Sequence, residues 1–379
     1  MNETNKIIKV AQIIGPAING GTESFVMNYY KHIDHSKIEF DFFVESQSKI
    51  INTQEVQKYG NGKIFIIPNY SHVFSYIKKL KTIFSFQHYD IVHSNMNTLS
   101  FLSLFSAKIA KVPIRIAHSH STANHEEVFK TFLKSILRKF GFSFSTNLFA
   151  CSIDSANYQF GEKRTKNKQV TLIKDAIDLE RFSFSFSKRK TIREQYGIEE
   201  DTFLVGNIGR FQKQKNQIFL IDVFYYFHLS HSNSKLLLVG NGPLLQQLKN
   251  RALFYDLIGD VIFAGTFSDV SDFYSAFDCF VFPSLYEGLG ITLIEAQASN
   301  LPCIISDKIP KETIITKDIL IEGLNKSAKE WSTLLFKKEK RNTVDNIICL
   351  RKAGYDIKEA SLALQKKYTE CIDSCEKRK

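Results

Sequence analysis

The segment FPSLYEGLGITLIEA, residues 282–296, contains in one short run the end of an apolar strand, a glycine-rich loop and the start of a helix. A buried strand that leads through a loop directly into a helix is the repeating unit of a parallel α/β sheet. Glu287 lies in the loop, and Glu295 lies about one turn into the helix. The segment therefore predicts a strand-end pocket that holds two carboxylates.

The same alternation of short β-rich runs and longer helical patterns continues along the chain. The predicted strands are residues 7–14, 38–44, 63–67, 91–93, 114–118, 147–151 and 170–173, then 203–208, 235–239, 261–263, 279–282 and 303–305. The polar, basic stretch 182–193 interrupts the pattern, and we interpret it as the connection that opens a second domain. The pattern predicts an α/β protein with two Rossmann-like, doubly wound domains that face each other across a cleft.

The length of 379 residues agrees with two domains, because one hydrophobic core rarely organises so long a chain. We place the N-terminal domain at residues 1–173 and the C-terminal domain at 174–354. A helix within residues 355–379 is expected to return to the N-terminal domain.

The N-terminus lacks the pattern of a secretory signal, because residues 1–6 are polar and Lys9 and Gln12 interrupt the apolar run that follows. No run approaches the ~20 apolar residues that a membrane-spanning helix needs. We therefore expect a cytoplasmic protein. Its six cysteines are scattered without zinc-site spacing, and we expect reduced, mostly buried thiols.

The charge balance favours an anionic partner. Fifty Lys and Arg stand against 39 Asp and Glu, which gives a formal net charge of +11. Nucleic acid, anionic lipid and a phosphorylated substrate would each suit this charge. The chain has neither zinc-finger spacing nor the glycine-aromatic signature of an RNA reader, so we do not expect a nucleic-acid partner.

Two glycine-containing loops follow predicted strands and precede helices. Gly20 and Gly21 follow the first strand, where backbone N–H groups near a helix N-terminus can bind an anion. A plain tight turn is an equal alternative for this pair. Gly240 and Gly242 follow strand 235–239, and they either line a nucleotide pocket or simply connect a strand to a helix.

Two cations lie at another strand end. Gly209 and Arg210 follow strand 203–208, and Lys215 lies at the start of the next helix. Such a pair suits a diphosphate whose charge grows as it leaves. Most Arg and Lys side chains are solvated surface groups, but the strand-end position favours phosphate binding.

The segment 282–296 itself offers both kinds of contact that a sugar nucleotide needs. The carboxylates of Glu287 and Glu295 can accept paired hydrogen bonds from sugar and ribose hydroxyls. Backbone N–H groups near Gly290 and Ile291 can meet phosphate oxygens.

His118 and His120 end strand 114–118 with i, i+2 spacing. They are either polar edge residues with satisfied hydrogen bonds or part of a catalytic pocket. We favour the pocket, because a neutral imidazole can donate to a sugar hydroxyl.

Together these residues resemble glycosyltransferase family 4, which has the GT-B fold, in the branch associated with bacterial capsule and exopolysaccharide assembly. The Glu-x7-Glu element of residues 287–295, with its Pro-Ser-Leu-Tyr-Glu-Gly-Leu-Gly lead, carries the resemblance most specifically. Further matches are Gly20-Gly21-Thr22-Glu23, His118-Ser119-His120, Ala150-Cys151-Ser152, Ile177-Asp178, Gly209-Arg210 with Lys215-Asn216, Val239-Gly240-Asn241-Gly242-Pro243, and Ile309-Pro310-Lys311-Glu312.

The resemblance implies a retaining hexosyltransferase that has no bound metal and no cofactor. The nucleotide-sugar would be a co-substrate, and we expect a UDP-sugar first. Arg210 and Lys215 would hold the diphosphate, Glu295 the ribose and Glu287 the donor sugar. His120, or alternatively His118, would orient that sugar. The resemblance assigns the donor to the second domain and the acceptor to the first. The full expected donor site is Gly20, Gly21, Gly209, Arg210, Lys215, Gly240, Gly242, Glu287, Gly288, Gly290, Ile291 and Glu295.

The implied acceptor is a glycan or an undecaprenyl-linked glycan. The alternatives are a GT-B enzyme with a small soluble acceptor and a non-catalytic nucleotide-sugar-binding module. Residues 126–140 form a basic amphipathic pattern that either contacts an anionic membrane surface or packs in the core. If residues 126–140 contact a membrane, we expect a peripheral location on the inner face of the cell membrane.

The chain departs from the family pattern at one point. Lys174-Asp175 precede Ala176-Ile177-Asp178, where many relatives have Asn-Gly or Asn-Asn before the Asp. The chain also has no Asp-x-Asp triplet of the kind that holds donor phosphates through a metal, and this argues against a metal site.

Overall fold

A computed structural model describes residues 7–15, 21–46, 48, 50–120, 140–337, 341 and 346–377. The chain divides into two compact units. The first consists of Met1–Ala176 and Ile357–Lys379, and the second of Ile177–Asp356. The unit boundaries thus lie a few residues beyond the positions 173 and 354 at which the sequence analysis ends its two domains.

The first unit contains a parallel sheet, in which the described residues form seven strands in the order β3-β2-β1-β4-β5-β6-β7. The strands are β1 (Ile8–Gly15), β2 (Ile38–Val44), β3 (Ile64–Ile66), β4 (Ile91–Ser94), β5 (Ile114–Ser119), β6 (Asn147–Ala150) and β7 (Val170–Leu172). The helices of this part are α1 (Gly21–His32), α2 (Thr53–Gln57), α3 (Val73–Gln87), α4 (Ser100–Ile109), α5 (Ile153–Phe160) and α6 (Glu162–Lys166).

The second unit contains a parallel sheet of six strands, counted over its described residues, in the order β10-β9-β8-β11-β12-β13. The strands are β8 (Phe203–Ile208), β9 (Ser234–Val239), β10 (Val261–Gly265), β11 (Cys279–Phe282), β12 (Cys303–Ser306) and β13 (Ile319–Glu322). The helices are α7 (Phe186–Gln195), α8 (Gln217–His228), α9 (Leu245–Phe254), α10 (Ser271–Ala276), α11 (Ile291–Ala298), α12 (Ala328–Leu335) and α13 (Asn346–Lys352).

The last helix, α14 (Ile357–Glu376), belongs to the first unit. Its Leu364 and Tyr368 are buried in the same core as Val10 and Phe40. Along the described part of the chain, none of the helices is both long and apolar enough to cross a membrane.

Both sheets reverse their strand order at a central pair of strands, β1 with β4 and β8 with β11. Connections leave the two strands of such a pair in opposite directions, which opens a crevice at their carboxyl ends where ligands bind. The central strands are buried on both faces, as all six residues of β8 show. The prediction of two Rossmann-like, doubly wound domains is therefore confirmed.

The interpretation of residues 182–193 as a connection is wrong. The stretch contains most of α7, and the second unit already begins at Ile177. Arg193 of α7 is 2% exposed, and its Nη2 lies 2.6 Å from Asp278 Oδ2. Arg189 pairs with the other carboxylate oxygen of Asp278 at 3.0 Å. Because Asp278 lies far from these arginines in the sequence, the sequence alone does not show that they are buried. The stretch therefore has the composition of a polar connection.

We predict that Arg193→Ala lowers the free energy of unfolding of the second unit by about 3 kcal/mol, because it removes a buried partner of Asp278. Lys190→Ala on the same helix is the matched control, since the Lys190 side chain is 76% exposed. We expect it to change stability by less than about 0.5 kcal/mol. Urea unfolding followed by circular dichroism measures both. Equal effects of the two variants would contradict the buried role of Arg193.

Candidate active site

The loop after β8, residues 209–216, is held by backbone hydrogen bonds to two neighbouring strand-end loops. Phe211 N donates to Asn241 O at 2.9 Å, which ties it to the loop after β9. Leu285 N donates to Gln214 O at 2.8 Å, which ties it to the loop after β11. The loops after β8, β9 and β11 therefore form one cluster at the carboxyl edge of the second sheet.

Gly240 and Gly242 allow the loop after β9 to approach the loop after β8. A Cβ atom added to Gly240 would lie 2.0 Å from the carbonyl oxygen of Gly209, and one added to Gly242 would lie 2.3 Å from that of Phe211. Both separations are far below van der Waals contact, so any side chain at these positions would displace the loop. The two glycines are thus required by a close backbone approach, which goes beyond connecting a strand to a helix.

Lys215 and Glu287 lie together in this cluster as a largely buried ion pair. Lys215 Nζ is 2.8 Å from Glu287 Oε1, and the side chains are 14% and 6% exposed. Lys215 Nζ also lies 4.8 Å from the centroid of the Phe282 ring, which favours the cation. From the sequence, we expect the lysine to bind a diphosphate and the glutamate to bind a sugar. The structure shows that each also orients the other.

Arg210 lies at the start of the same loop and is exposed. Its backbone oxygen accepts a hydrogen bond from Gln217 Nε2 at 3.2 Å, which joins the loop to α8. The backbone at this position is therefore fixed, while the guanidinium lies at the surface of the unit.

Helix α11 presents its N-terminus directly after the loop that contains Glu287. Gly290 precedes the helix with φ 84° and ψ 49°, a left-handed conformation, and no side chain among the described residues caps the helix there. The first N–H groups of an uncapped helix, together with its dipole, form a binding position for an anion. Ser284 Oγ and Thr292 Oγ1, on either side of this loop, are buried without a hydrogen-bond partner in the described structure.

Glu295 lies one turn further along α11. Tyr274 of α10 donates a hydrogen bond to Glu295 Oε2 at 2.5 Å. Burial raises the pKa of the Glu295 carboxyl to about 7, while the Tyr274 hydroxyl and the charge of Lys215 act to lower it. Tyr274 could not be identified from the sequence, because α10 has six residues and is too short to show a helical period.

In the first unit, His120 follows β5 and is held by two asparagines. Its backbone N donates to Asn97 Oδ1 at 2.7 Å, and its Nε2 lies 2.9 Å from Asn95 Oδ1. An amide oxygen only accepts, so Nε2 carries the proton and Nδ1 of the neutral ring is an acceptor. His120 therefore offers an acceptor to a sugar hydroxyl, whereas the sequence predicts a donor. A polar residue directly after a strand, such as Asn95, was the signal that could have identified this support.

His118 lies inside the first unit. It is 1% exposed, and its Nδ1 lies 2.9 Å from His93 Nε2. Burial lowers the pKa of His93 to about 3 and that of His118 well below its usual range, so both rings are neutral. His93 Nδ1 lies 2.6 Å from the Tyr368 hydroxyl on α14. His118 thus belongs to an internal polar network, and His120 is the better placed of the two predicted histidines to meet a ligand.

The remaining predicted site residues differ in what the structure says of them. Gly21 begins α1. Gly20 and nearly all of the predicted helix 126–140 lie outside the described residues. Among the residues that the structure describes, one cluster has metal-ligating geometry, formed by His120, Cys151 and Asp175.

Comparison with known proteins gives the following similarities. Residues 19–181 match the family model described as Glycosyltransferase Family 4, and residues 188–339 match the model described as Glycosyl transferases group 1. The chain is 31% identical over 320 residues to the putative glycosyltransferase EpsF of Bacillus subtilis (strain 168), which covers 82% of each protein.

Two further similarities extend over most of the chain. It is 23% identical over 319 residues to the UDP-Gal:alpha-D-GlcNAc-diphosphoundecaprenol alpha-1,3-galactosyltransferase of Escherichia coli, which covers 81% of each protein. The crystal structure of Anabaena HepE in complex with UDP and glucose is similar with a TM-score of 0.80 at 15% identity. That similarity covers 96% of this chain and 100% of the HepE chain.

We predict that Tyr274→Phe raises the pKa of Glu295 above its value of about 7, because the tyrosine hydroxyl stabilises the charged carboxylate. The measurement is a pH titration of the side-chain carboxyl carbon by ¹³C NMR. Tyr196→Phe in the same unit is the control and should leave the titration unchanged. A lower midpoint in Tyr274→Phe than in the native protein would contradict this role of the hydroxyl.

Proposed function

Because the chain belongs to glycosyltransferase family 4, we propose that it moves the sugar of a UDP-sugar to a glycan or an undecaprenyl-linked glycan in surface polysaccharide assembly, with retention of anomeric configuration. The observation that carries this proposal is the cluster of strand-end loops in the second unit. It gathers Lys215, Glu287 and Glu295 beside the N-terminus of α11. The similarity to EpsF and to the galactosyltransferase that is named for UDP-Gal and a diphosphoundecaprenol substrate supports the same reaction.

In this proposal the second unit binds the donor. Lys215, Arg210 and the first N–H groups of α11 neutralise the diphosphate. Glu295 accepts hydrogen bonds from the ribose hydroxyls, and the fraction of Glu295 that is ionised grows as the pH rises through about 7. The ion pair with Lys215 holds the Glu287 carboxylate in position to accept hydrogen bonds from hydroxyls of the donor sugar.

The transfer step needs no group beyond these and the two substrates. The bond between the anomeric carbon and the diphosphate oxygen breaks, and the acceptor oxygen bonds to the same face of that carbon. The acceptor hydroxyl proton passes to an oxygen of the leaving phosphate. The cations contribute most where the negative charge on the diphosphate grows. We assign the acceptor to the first unit. We also assign to His120 Nδ1 a hydrogen bond from a hydroxyl of the donor sugar.

The donor class is tested by thermal unfolding in the presence of UDP-, GDP- and ADP-sugars. A ligand at 100 times its Kd adds about 2.7 kcal/mol to the stability of the state that binds it. We expect UDP-sugars to give the largest rise in Tm. Transfer of a radiolabelled sugar to lipid-linked glycan then separates an enzyme from a binding module. Stabilisation without transfer or hydrolysis would contradict the proposed reaction.

We predict that Arg210→Ala lowers kcat by roughly 100-fold or more, because loss of one charged donor at a developing charge costs about 3 kcal/mol in the transition state. Lys213→Ala, which removes an exposed cation from the same loop, is the matched control and should keep kcat within about threefold. Circular dichroism confirms that both variants fold. Near-normal turnover of Arg210→Ala would show that Arg210 does not bind the leaving diphosphate.

We predict that EDTA leaves the transfer rate unchanged or higher, since the proposed site neutralises the diphosphate with Arg210, Lys215 and a helix dipole. Initial rates are compared before chelation, after chelation, and after return of Mg²⁺ or Mn²⁺. Loss of activity in EDTA that either ion restores would show that a metal is required.

We also propose that the enzyme acts at the inner face of the cell membrane, where a lipid-linked acceptor would lie. The predicted cations of this contact are Lys130, Lys134, Arg138 and Lys139, in a segment outside the described residues. Each cation near an anionic surface contributes about 1 kcal/mol, so the attachment should be reversible and sensitive to salt.

The prediction is that changing these four residues to Gln abolishes co-sedimentation with anionic liposomes at low salt. A control that changes Lys163, Lys166 and Lys168 to Gln removes exposed cations from α6 and the residues after it, and should sediment like the native protein. The idea fails if the native protein does not sediment, or if both variants lose binding to the same extent.

A further inference from the structure

Three side chains with metal-ligating atoms converge at the carboxyl ends of β5 and β6 in the first unit. His120 follows β5, Cys151 follows β6, and Asp175 lies shortly after β7. Their ligand atoms all lie within 4.8 Å of one another. We propose that His120, Cys151 and Asp175 form a binding site for Zn²⁺, and that the ion blocks the nitrogen of His120 that the transfer reaction uses.

His120 presents the correct form of its ring to a cation. Its Nε2–H donates to Asn95 Oδ1 at 2.9 Å, so the lone pair lies on Nδ1. Metal-bound histidines almost always donate their second ring N–H to an oxygen, which fixes the tautomer and the ring orientation. Asn95 is fixed in turn, because its Nδ2 donates to Gln12 Oε1 at 3.0 Å. The supporting contacts that a zinc ligand needs are therefore present.

Asp175 supplies the carboxylate ligand. Asp175 Oδ1 is buried and accepts no hydrogen bond from the described residues. It lies 3.7 Å from His120 Nδ1, too far for a direct hydrogen bond. A buried carboxylate oxygen without a partner is costly, and a cation between the two atoms removes that cost. This carboxylate lies in the segment where the sequence departs from the family pattern.

Cys151 supplies the sulfur ligand. It is fully buried, and its Sγ lies 3.5 Å from Ser155 Oγ. A coordinating thiol loses its proton to solvent, and the resulting charge is compensated by the ion. Zn²⁺ bonds of about 2.0–2.3 Å with tetrahedral angles separate ligand atoms by roughly 3.3–3.7 Å, so small side-chain movements complete the geometry. The fourth position then belongs to water.

The ligand set identifies the class of ion. One nitrogen, one thiolate and one carboxylate suit Zn²⁺ and Co²⁺, whereas Mg²⁺ and Ca²⁺ require mostly oxygen ligands. The binding of the ion depends only on this geometry. Inhibition of transfer by the ion also rests on the proposed function, because it requires that His120 Nδ1 contacts the reacting sugar.

The test titrates the chelator-treated full-length chain with Co²⁺ under a thiol-free reductant and records its absorption spectrum. A thiolate ligand produces a sulfur-to-cobalt charge-transfer band, and tetrahedral coordination produces strong visible bands. We expect one Co²⁺ per chain with both features, displaced by Zn²⁺. Absence of the charge-transfer band at stoichiometric Co²⁺ would overturn the site.

Variants identify the ligands. Cys151→Ser should abolish the charge-transfer band, and Asp175→Asn should weaken Co²⁺ affinity at least about tenfold, since even the loss of a group that only hydrogen-bonds to a metal ligand costs that much. The matched control is the double change Cys371→Ser and Cys375→Ser, which removes the one closely spaced cysteine pair of α14 and should leave the band intact. A band that follows Cys371 and Cys375 would overturn the proposal. Thermal unfolding shows whether Cys151→Ser folds, and Asp175→Asn provides the test if it does not.

Activity provides a separate result. If the chain transfers sugar, Zn²⁺ should inhibit the native enzyme and EDTA should restore the rate, while Asp175→Asn should require at least about tenfold more Zn²⁺ for the same fractional inhibition. Co²⁺ binding without inhibition by Zn²⁺ would support the metal site but would contradict the proposal that the ion blocks His120. Absence of transfer activity with intact Co²⁺ binding would contradict only the proposed function.

Discussion

The reversal of strand order between β8 and β11 is the constraint on which the candidate site depends. Neighbouring parallel strands normally send their connections to the same side, but at this pair the connections diverge and leave the carboxyl ends uncovered. The loop after β8 therefore meets the loop after β11 instead of a covering helix. The glycines of the loop after β9 allow a third loop to join them at backbone contact distance. The loops after β8, β9 and β11 therefore form one continuous surface.

The electrostatics of that surface follow from burial. Lys215 and Glu287 are largely removed from water, where an unpaired charge would be unfavourable. The ion pair compensates both charges and fixes the positions of both side chains. Glu295 instead accepts a hydrogen bond from Tyr274, and burial raises its pKa to about 7. The two carboxylates of one short segment thus have different surroundings, since one is paired with a lysine and the other is bonded to a tyrosine hydroxyl, and this suits different hydrogen-bonding tasks.

Local sequence predicted the strands and most of the loops of the site, because apolar runs bounded by glycine are recognisable without tertiary information. It failed where the decisive contact is distant in sequence. The buried face of α7 depends on Asp278, and the difference between His118 and His120 depends on His93 and on Tyr368 of α14. The supporting role of Tyr274 was equally invisible, because a six-residue helix has no readable period. The direction of the hydrogen bond at His120 required the position of Asn95.

We infer that the loop cluster of the second unit binds the nucleotide diphosphate, and a crystal structure of the protein with UDP tests this inference. We expect the diphosphate to lie within hydrogen-bond distance of Lys215 Nζ and of the first N–H groups of α11, with a ribose hydroxyl bound to the Glu295 carboxylate. UDP bound elsewhere, with Lys215 in contact with Glu287 alone, would contradict it.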